Sequence, residues 1–246
     1  MSGGQARACA VEVDGLVVAT PGGRTLLGPV DLHVAAGERV AVLGVSGAGK
    51  SLLAAALTDT LPADLVRSGS VRTGTSRVAL VQQDTAAALN PLVRVGAQVG
   101  RPLRRTVRDR ATRARRTEAL LARAGLEDPS TVARRYPGEL SGGQRQRACL
   151  ALALACGSPV IVADEATSAL DVVTEAAVLT VLAELPATLA LVTHDLAAAR
   201  RTCDRAVVVD AGRVVEDAPL ATLLAAPRHP AARELVRHHR LLEDAW

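Results

Sequence analysis

The chain contains no phenylalanine, and only one tyrosine and one tryptophan in 246 residues. Its core must therefore be packed from alanine, valine and leucine. The interleaved aromatics on which single-stranded nucleic acid stacks are missing as well. Cysteine is sparse: Cys9, Cys149, Cys156 and Cys203 form neither a C-x-x-C pair nor a zinc spacing, which leaves four small buried hydrophobes of a reduced protein. Long apolar runs are lacking too. The longest, ACLALALAC from Ala148 to Cys156, is broken by Gly157, Ser158 and Pro159, well short of the roughly 20 residues of a spanning helix. MSGGQARACAVEVDG has no apolar h-region, so no signal peptide is expected and any membrane role must come through partners. There is no tandem repeat and no low-complexity linker.

What is present is globular: 49% hydrophobic and 22% charged residues, with a net charge of +4 and a pI near 9.3. Eight arginines fall between Arg101 and Arg116. A solvated helix face or an acidic partner accounts for them; nucleic acid is not expected.

The segments AVEVDGLVVA, GPVDLHVAAGERVAVLG and GSVRTGTSRVALVQQD predict strands. From about Thr85 to Gly157 the pattern is helical, and TVRDRATRARRTEALLARAGL predicts one helix, with Val107, Ala111, Ala114, Leu120 and Leu121 near helical spacing and Gly125 as its C-cap. From Val160 strand and helix alternate again through VIVADE, VVTEAAVLTVLAELP, LALVTHD, LAAARRT and RAVVVDAGRVVE. The fold class is an α/β core interrupted by a helical insertion.

Three motifs carry chemistry. GVSGAGKS, from Gly44 to Ser51, has the spacing G-x-x-x-x-G-K-S between a strand and a helix. Gly44, Gly47 and Gly49 let backbone approach phosphate oxygens, Val45, Ser46, Ala48 and Leu52 complete the cradle, Lys50 reaches the β and γ phosphates, and Ser51 offers a hydroxyl to Mg²⁺. PVIVADEATSALD ends a strand in two carboxylates; Asp164 steadies Mg²⁺ and Glu165 takes a proton from the attacking water. In ELSGGQRQR, Ser141 is an N-cap and Gly142 and Gly143 leave backbone N–H groups for an anion beside Gln144. A second phosphate-reading helix end in one chain makes sense when two copies face each other.

In this order, from Gly44 to His194, the motifs resemble the ATP-binding cassette (ABC) family: phosphate loop, VQQD, LSGGQ, VIVADE, SALD ending at Asp171, and LVTHD. The resemblance implies an α/β P-loop NTPase core of RecA-like type, with a helical subdomain and an N-terminal antiparallel β subdomain. It places the core at 1–84 and 157–246 and the helical signature subdomain at 85–156 of a single domain, 1–246. It implies ATP and Mg²⁺, and an ATPase in which Glu165, His194, Gln83 and Lys50 are catalytic. Gln83 would sense Mg²⁺ and water, with Gln82 as the alternative; His194 would hold the γ-phosphate; Asp171 would communicate across a head-to-tail dimer. The aromatic on which such proteins stack adenine is missing near Ala19 and Thr20.

QQDTAAALNP, ADEATSALDVVTEAAVL and APRHPAARELVRHH are similar to the peptide and nickel importer subgroup, and the shortness of the chain fits the nickel side. There, two ATPase subunits, alike or different, sit beneath two membrane permease subunits fed by a binding protein, on the cytoplasmic face of the membrane. A soluble cassette acting on nucleic acid, or in phosphonate degradation, is the alternative.

Overall fold

Alternating apolar and polar residues give β1 (Cys9–Ala19) and β2 (Thr25–Ala35), an antiparallel pair joined through the Thr20–Arg24 turn, and β4 (Val66–Thr73) pairs antiparallel with the other side of β1. The computed structural model describes residues 9–74, 78–82, 88–167 and 170–243. Two units are distinguished: 1–78, 159–164 and 186–246 form one, and 79–158 with 165–185 form the other.

The first unit holds this three-stranded sheet and a second sheet built from unbroken apolar runs. These are β3 (Arg39–Leu43), β6 (Val160–Asp164), β7 (Thr188–Thr193) and β8 (Arg205–Asp210), in each of which at least four residues are buried. Runs without polar alternation belong to strands covered on both faces. Their order is β6-β7-β3-β8, all parallel, followed by antiparallel β9 (Arg213–Pro219). Helices α1 (Lys50–Leu57), α7 (Leu196–Thr202), α8 (Leu220–Ala225) and α9 (Pro230–Glu243) complete the unit. Among the described residues the buried hydrophobic core contains no aromatic side chain, and Tyr136 is exposed.

β5 (Val78–Val81) leads into the second unit, which is otherwise helical: α2 (Val95–Leu103), α3 (Arg110–Arg123), α4 (Pro129–Arg134), a 3₁₀ turn (Pro137–Glu139), α5 (Gly142–Ala155) and α6 (Val172–Ala183). The expected helix through TVRDRATRARRTEALLARAGL is shorter than its pattern. Asp109 takes an extended conformation and accepts from Thr112 N at 2.6 Å, so α3 starts at Arg110 and Val107 is buried ahead of it. Side-chain capping outweighs periodicity at this end. At the other, Ala124 is the C-cap and Gly125 follows it in the left-handed region, φ 79°. Burial of the cysteines also differs from expectation: Cys149 and Cys203 are buried, whereas Cys9, opening β1, and Cys156, the C-cap of α5, are half-exposed because both lie at element ends.

Candidate functional site

The register of the parallel strands brings three motifs of the first unit to one edge. Leu43 pairs with Thr193 and Asp164 with Val192, so β3, β6 and β7 end together. Gly44, Asp164 and exposed His194 therefore emerge at the carboxyl edge of the sheet, where open α/β sheets bind ligands.

The loop after β3 is shaped by its glycines. A Cβ on Gly44 would collide with the Val209 carbonyl oxygen. Gly49, the N-cap of α1 at φ 106°, would push a Cβ to 3.1 Å from Leu27 Cδ1. Ala48 anchors the loop, its carbonyl accepting from Gly212 N at 2.9 Å. Val45, Ser46 and Gly47 are exposed, and Leu52 is half-buried. Lys50 is 5% exposed, and its Nζ donates to Gly44 O at 2.9 Å and Val45 O at 3.0 Å. One residue on, Ser51 Oγ donates to Asp164 Oδ1 at 3.3 Å. A hydroxyl and a carboxylate so close are the hard oxygen donors that Mg²⁺ takes alongside phosphate, and the residues fit the ion.

The second unit carries the remaining motifs. Glu165, next in the chain after β6, has φ 47°, a left-handed conformation uncommon for a side-chain-bearing residue. Ser141 caps α5: its Oγ accepts from Gln144 N at 3.2 Å while Gln144 Oε1 accepts from Ser141 N at 3.1 Å. The Gln144 carboxamide thus closes a capping box. Gly142 is exposed, and a Cβ on Gly143 would meet Thr174 Cγ2 at 3.3 Å. Asp171 caps α6 in turn, accepting from Thr174 N at 3.0 Å and Thr174 Oγ1 at 2.8 Å. Its backbone hydrogen bond from Thr174 leads the causes that hold its carboxyl below the usual range. Gln83 lies outside the described residues, as do Ser168 and Ala169 of SALD.

Two residues with structural parts here were not singled out by sequence. Thr174 fixes Asp171 and packs on Gly143; the D-x-x-T spacing at a helix start was its signal. Gln146 is 5% exposed and donates from Nε2 to Ala166 O at 2.9 Å and Gln82 O at 3.1 Å. Its signal was a glutamine on the helix stripe shared with Cys149, Leu150 and Ala153, all buried.

Part of the arginine run is gathered rather than dispersed. Arg104, Arg110 and Arg113, with Arg94 and Arg134, line a cavity of about 400 Å³ in the second unit. Among the described residues no helix is long and apolar enough to cross a membrane.

Residues 27–168 match the family model described as ABC transporter. A nickel import ATP-binding protein of Rhodospirillum rubrum is 39% identical over 231 residues, 87% of this chain and 82% of that protein. A probable peptide ABC transporter ATP-binding protein of Sinorhizobium fredii is 34% identical over 235 residues, covering 85% and 70%. A methionine import ATP-binding protein of Xanthomonas campestris is 36% identical over 236 residues, covering 89% and 69%. Among solved structures, a dimeric ATP-binding cassette in a post-hydrolysis state with ADP and Pi superposes with a TM-score of 0.75 and 28% identity, covering 85% of this chain and 98% of that one.

Proposed function

Given that the chain belongs to the ABC transporter ATP-binding family, we propose that it drives uptake of a nickel or other metal complex, or of a di- or oligopeptide, through partner permeases. Binding of ATP with Mg²⁺ and hydrolysis of ATP are properties of the family. Two of the relatives are described as import ATP-binding proteins and the third as a peptide ABC transporter ATP-binding protein, which supports an importer subunit. The nickel-import relative and the peptide-transport relative support the narrower cargo. Because cargo contacts the membrane and binding subunits, the methionine-import relative is compatible with a shared motor on different cargoes.

The observation carrying the mechanism is the convergence of Gly44, Asp164 and His194 on one sheet edge, with Ser51 already paired to Asp164. In our reading, backbone N–H groups from Gly44 to Leu52 cradle the phosphates and Lys50 presents its ammonium to the β and γ groups. Ser51 and Asp164 hold Mg²⁺, which when bound neutralises charge on the phosphate oxygens. Glu165 accepts the proton of the attacking water, and His194 orients the γ-phosphate. Gln83 reports the state of the site to the helical segment 85–156, which together with the core 1–84 and 157–246 makes up the single cassette. Ser141, Gly142, Gly143 and Gln144 serve the nucleotide held by a second ATPase subunit, and Asp171 faces that subunit. Catalysis is positioning plus electrostatics, on the cytoplasmic face of the membrane. Glu165→Gln tests this: ATP hydrolysis should fall at least about 100-fold with ATP binding retained, whereas an active variant would remove Glu165 as base.

A further inference from the structure

One side chain joins two segments to which the proposed mechanism gives different tasks. Gln146 lies in α5, behind the signature residues, and is 5% exposed. A primary carboxamide nitrogen carries two hydrogens. Here the nitrogen reaches one carbonyl on each of two distant segments: Gln82 O at 3.1 Å and Ala166 O at 2.9 Å. Gln82 directly precedes Gln83 in the chain, and Ala166 directly follows Glu165. The peptide held at Ala166 is thus next to a carboxylate residue whose backbone sits at φ 47°. Such a conformation persists only where its surroundings over-determine it. Ala166 is itself 2% exposed, so water offers its neighbourhood little substitute for the lost donor.

We propose that Gln146 is a positioning residue that sets the backbone of Glu165 and links it mechanically to the Gln83 segment, so that a shift in one is felt by the other. The proposal rests on the roles given above to Glu165 and Gln83. Glutamate offers oxygens that repel both carbonyls, leucine keeps much of the volume with no donor, and asparagine is one methylene short.

The test compares the wild-type chain with Gln146→Leu and Gln146→Glu, first alone and then assembled with its membrane subunits. For the chain alone we expect kcat for ATP to fall 10- to 100-fold while KM stays within about threefold, because the phosphate loop lies on other elements. In the assembly, stimulation of ATPase by the membrane subunits should shrink towards none for both variants. Folding is followed by Tm. Variants that melt earlier but keep kcat and stimulation within about twofold at a temperature where they are folded would make Gln146 purely structural and overturn the proposal. Failure of both variants to fold would overturn it equally. If the wild-type chain hydrolyses ATP but no membrane partner stimulates it, the importer reading fails, and the kcat and KM of the isolated variants still decide the role of Gln146.

Discussion

Lys50 is the only lysine among 29 basic residues; every other one is arginine. Where arginine is used everywhere else, a compact ammonium is kept on the phosphate loop, where Nζ folds back onto Gly44 O and Val45 O. A planar guanidinium spreads its charge over a wider fork and needs more room than the compact, 5% exposed ammonium occupies here. Lys50→Arg should therefore cost about 100-fold or more in ATP hydrolysis, measured by phosphate release. The singleness of this residue also makes it a reporter. An amine reagent has one lysine to find besides the N-terminus, and mass spectrometry should show that ATP protects it. Labelling at Lys50 that ignores ATP would place the nucleotide elsewhere. A second residue-scale feature is the absent adenine aromatic. Ala19 closes β1 half-buried, and Thr20 spends its hydroxyl accepting from Arg24 N at 3.2 Å. Base stacking contributes about 1–3 kcal/mol, so Thr20→Tyr should tighten ATP binding by about 5- to 150-fold, while the native chain should distinguish ATP from GTP weakly in a competition assay.

At the scale of elements, helices α3 to α6 of the second unit are started by side chains, whereas α2 has no side-chain cap. Asp109, Asp128 and Asp171 cap α3, α4 and α6, and each carboxyl is held below its usual range. The leading causes are side-chain hydrogen bonds from Thr112 and Thr131 for the first two and the Thr174 backbone for the third. A carboxyl with a depressed folded pKa adds stability that is complete above its unfolded value, about 3.9, and lost as pH falls through the folded value. Helical signal should weaken in denaturant scans as pH drops from 5 towards about 2. The triple Asp→Asn variant, which still caps but does not titrate, should respond less to acid in that window; an unchanged response would assign acid lability to other groups. These caps also show what was legible in the sequence. Ser141 before two glycines announced the start of α5, and the phosphate loop announced β3 and α1. Asp109 was passed over because the apolar spacing through Val107 continued the helical rhythm across it. A period describes a face, whereas a cap describes an end, and at Asp109 only the end was decisive. Gln146 was hidden differently: polar residues on both sides masked its place on the buried stripe, and its partners at Gln82 and Ala166 are remote in sequence.

At the scale of the whole molecule, Arg205 ties the two sheets of the first unit together. On β8, it donates from Nε and Nη2 to Asp217 of β9, both at 2.6 Å, and from Nη1 to Glu38 at 2.9 Å and to the His33 carbonyl of β2 at 2.8 Å. The hydrogen bond to Asp217 leads the causes that raise its pKa, so the guanidinium stays charged throughout the stability range. Its side chain is 24% exposed, and solvent screening limits the gain. Arg205→Ala should destabilise by about 1–2 kcal/mol, read in urea denaturation, with ATP hydrolysis by the folded variant preserved, because the residue lies away from the carboxyl edge of the sheet. No such anchoring could be read from sequence, since Glu38, Asp217 and Arg205 meet only once β2, β8 and β9 are in register.

Under the proposed function this chain is a motor whose work is done through other subunits. The most direct measurement is ATP hydrolysis by the chain assembled with its cognate permeases in liposomes, with and without a binding protein loaded with nickel or with peptide, for the wild type and for Glu165→Gln. The account predicts stimulation by one loaded binding protein and its loss in the variant. Full hydrolysis without any membrane partner, indifferent to either cargo, would contradict it.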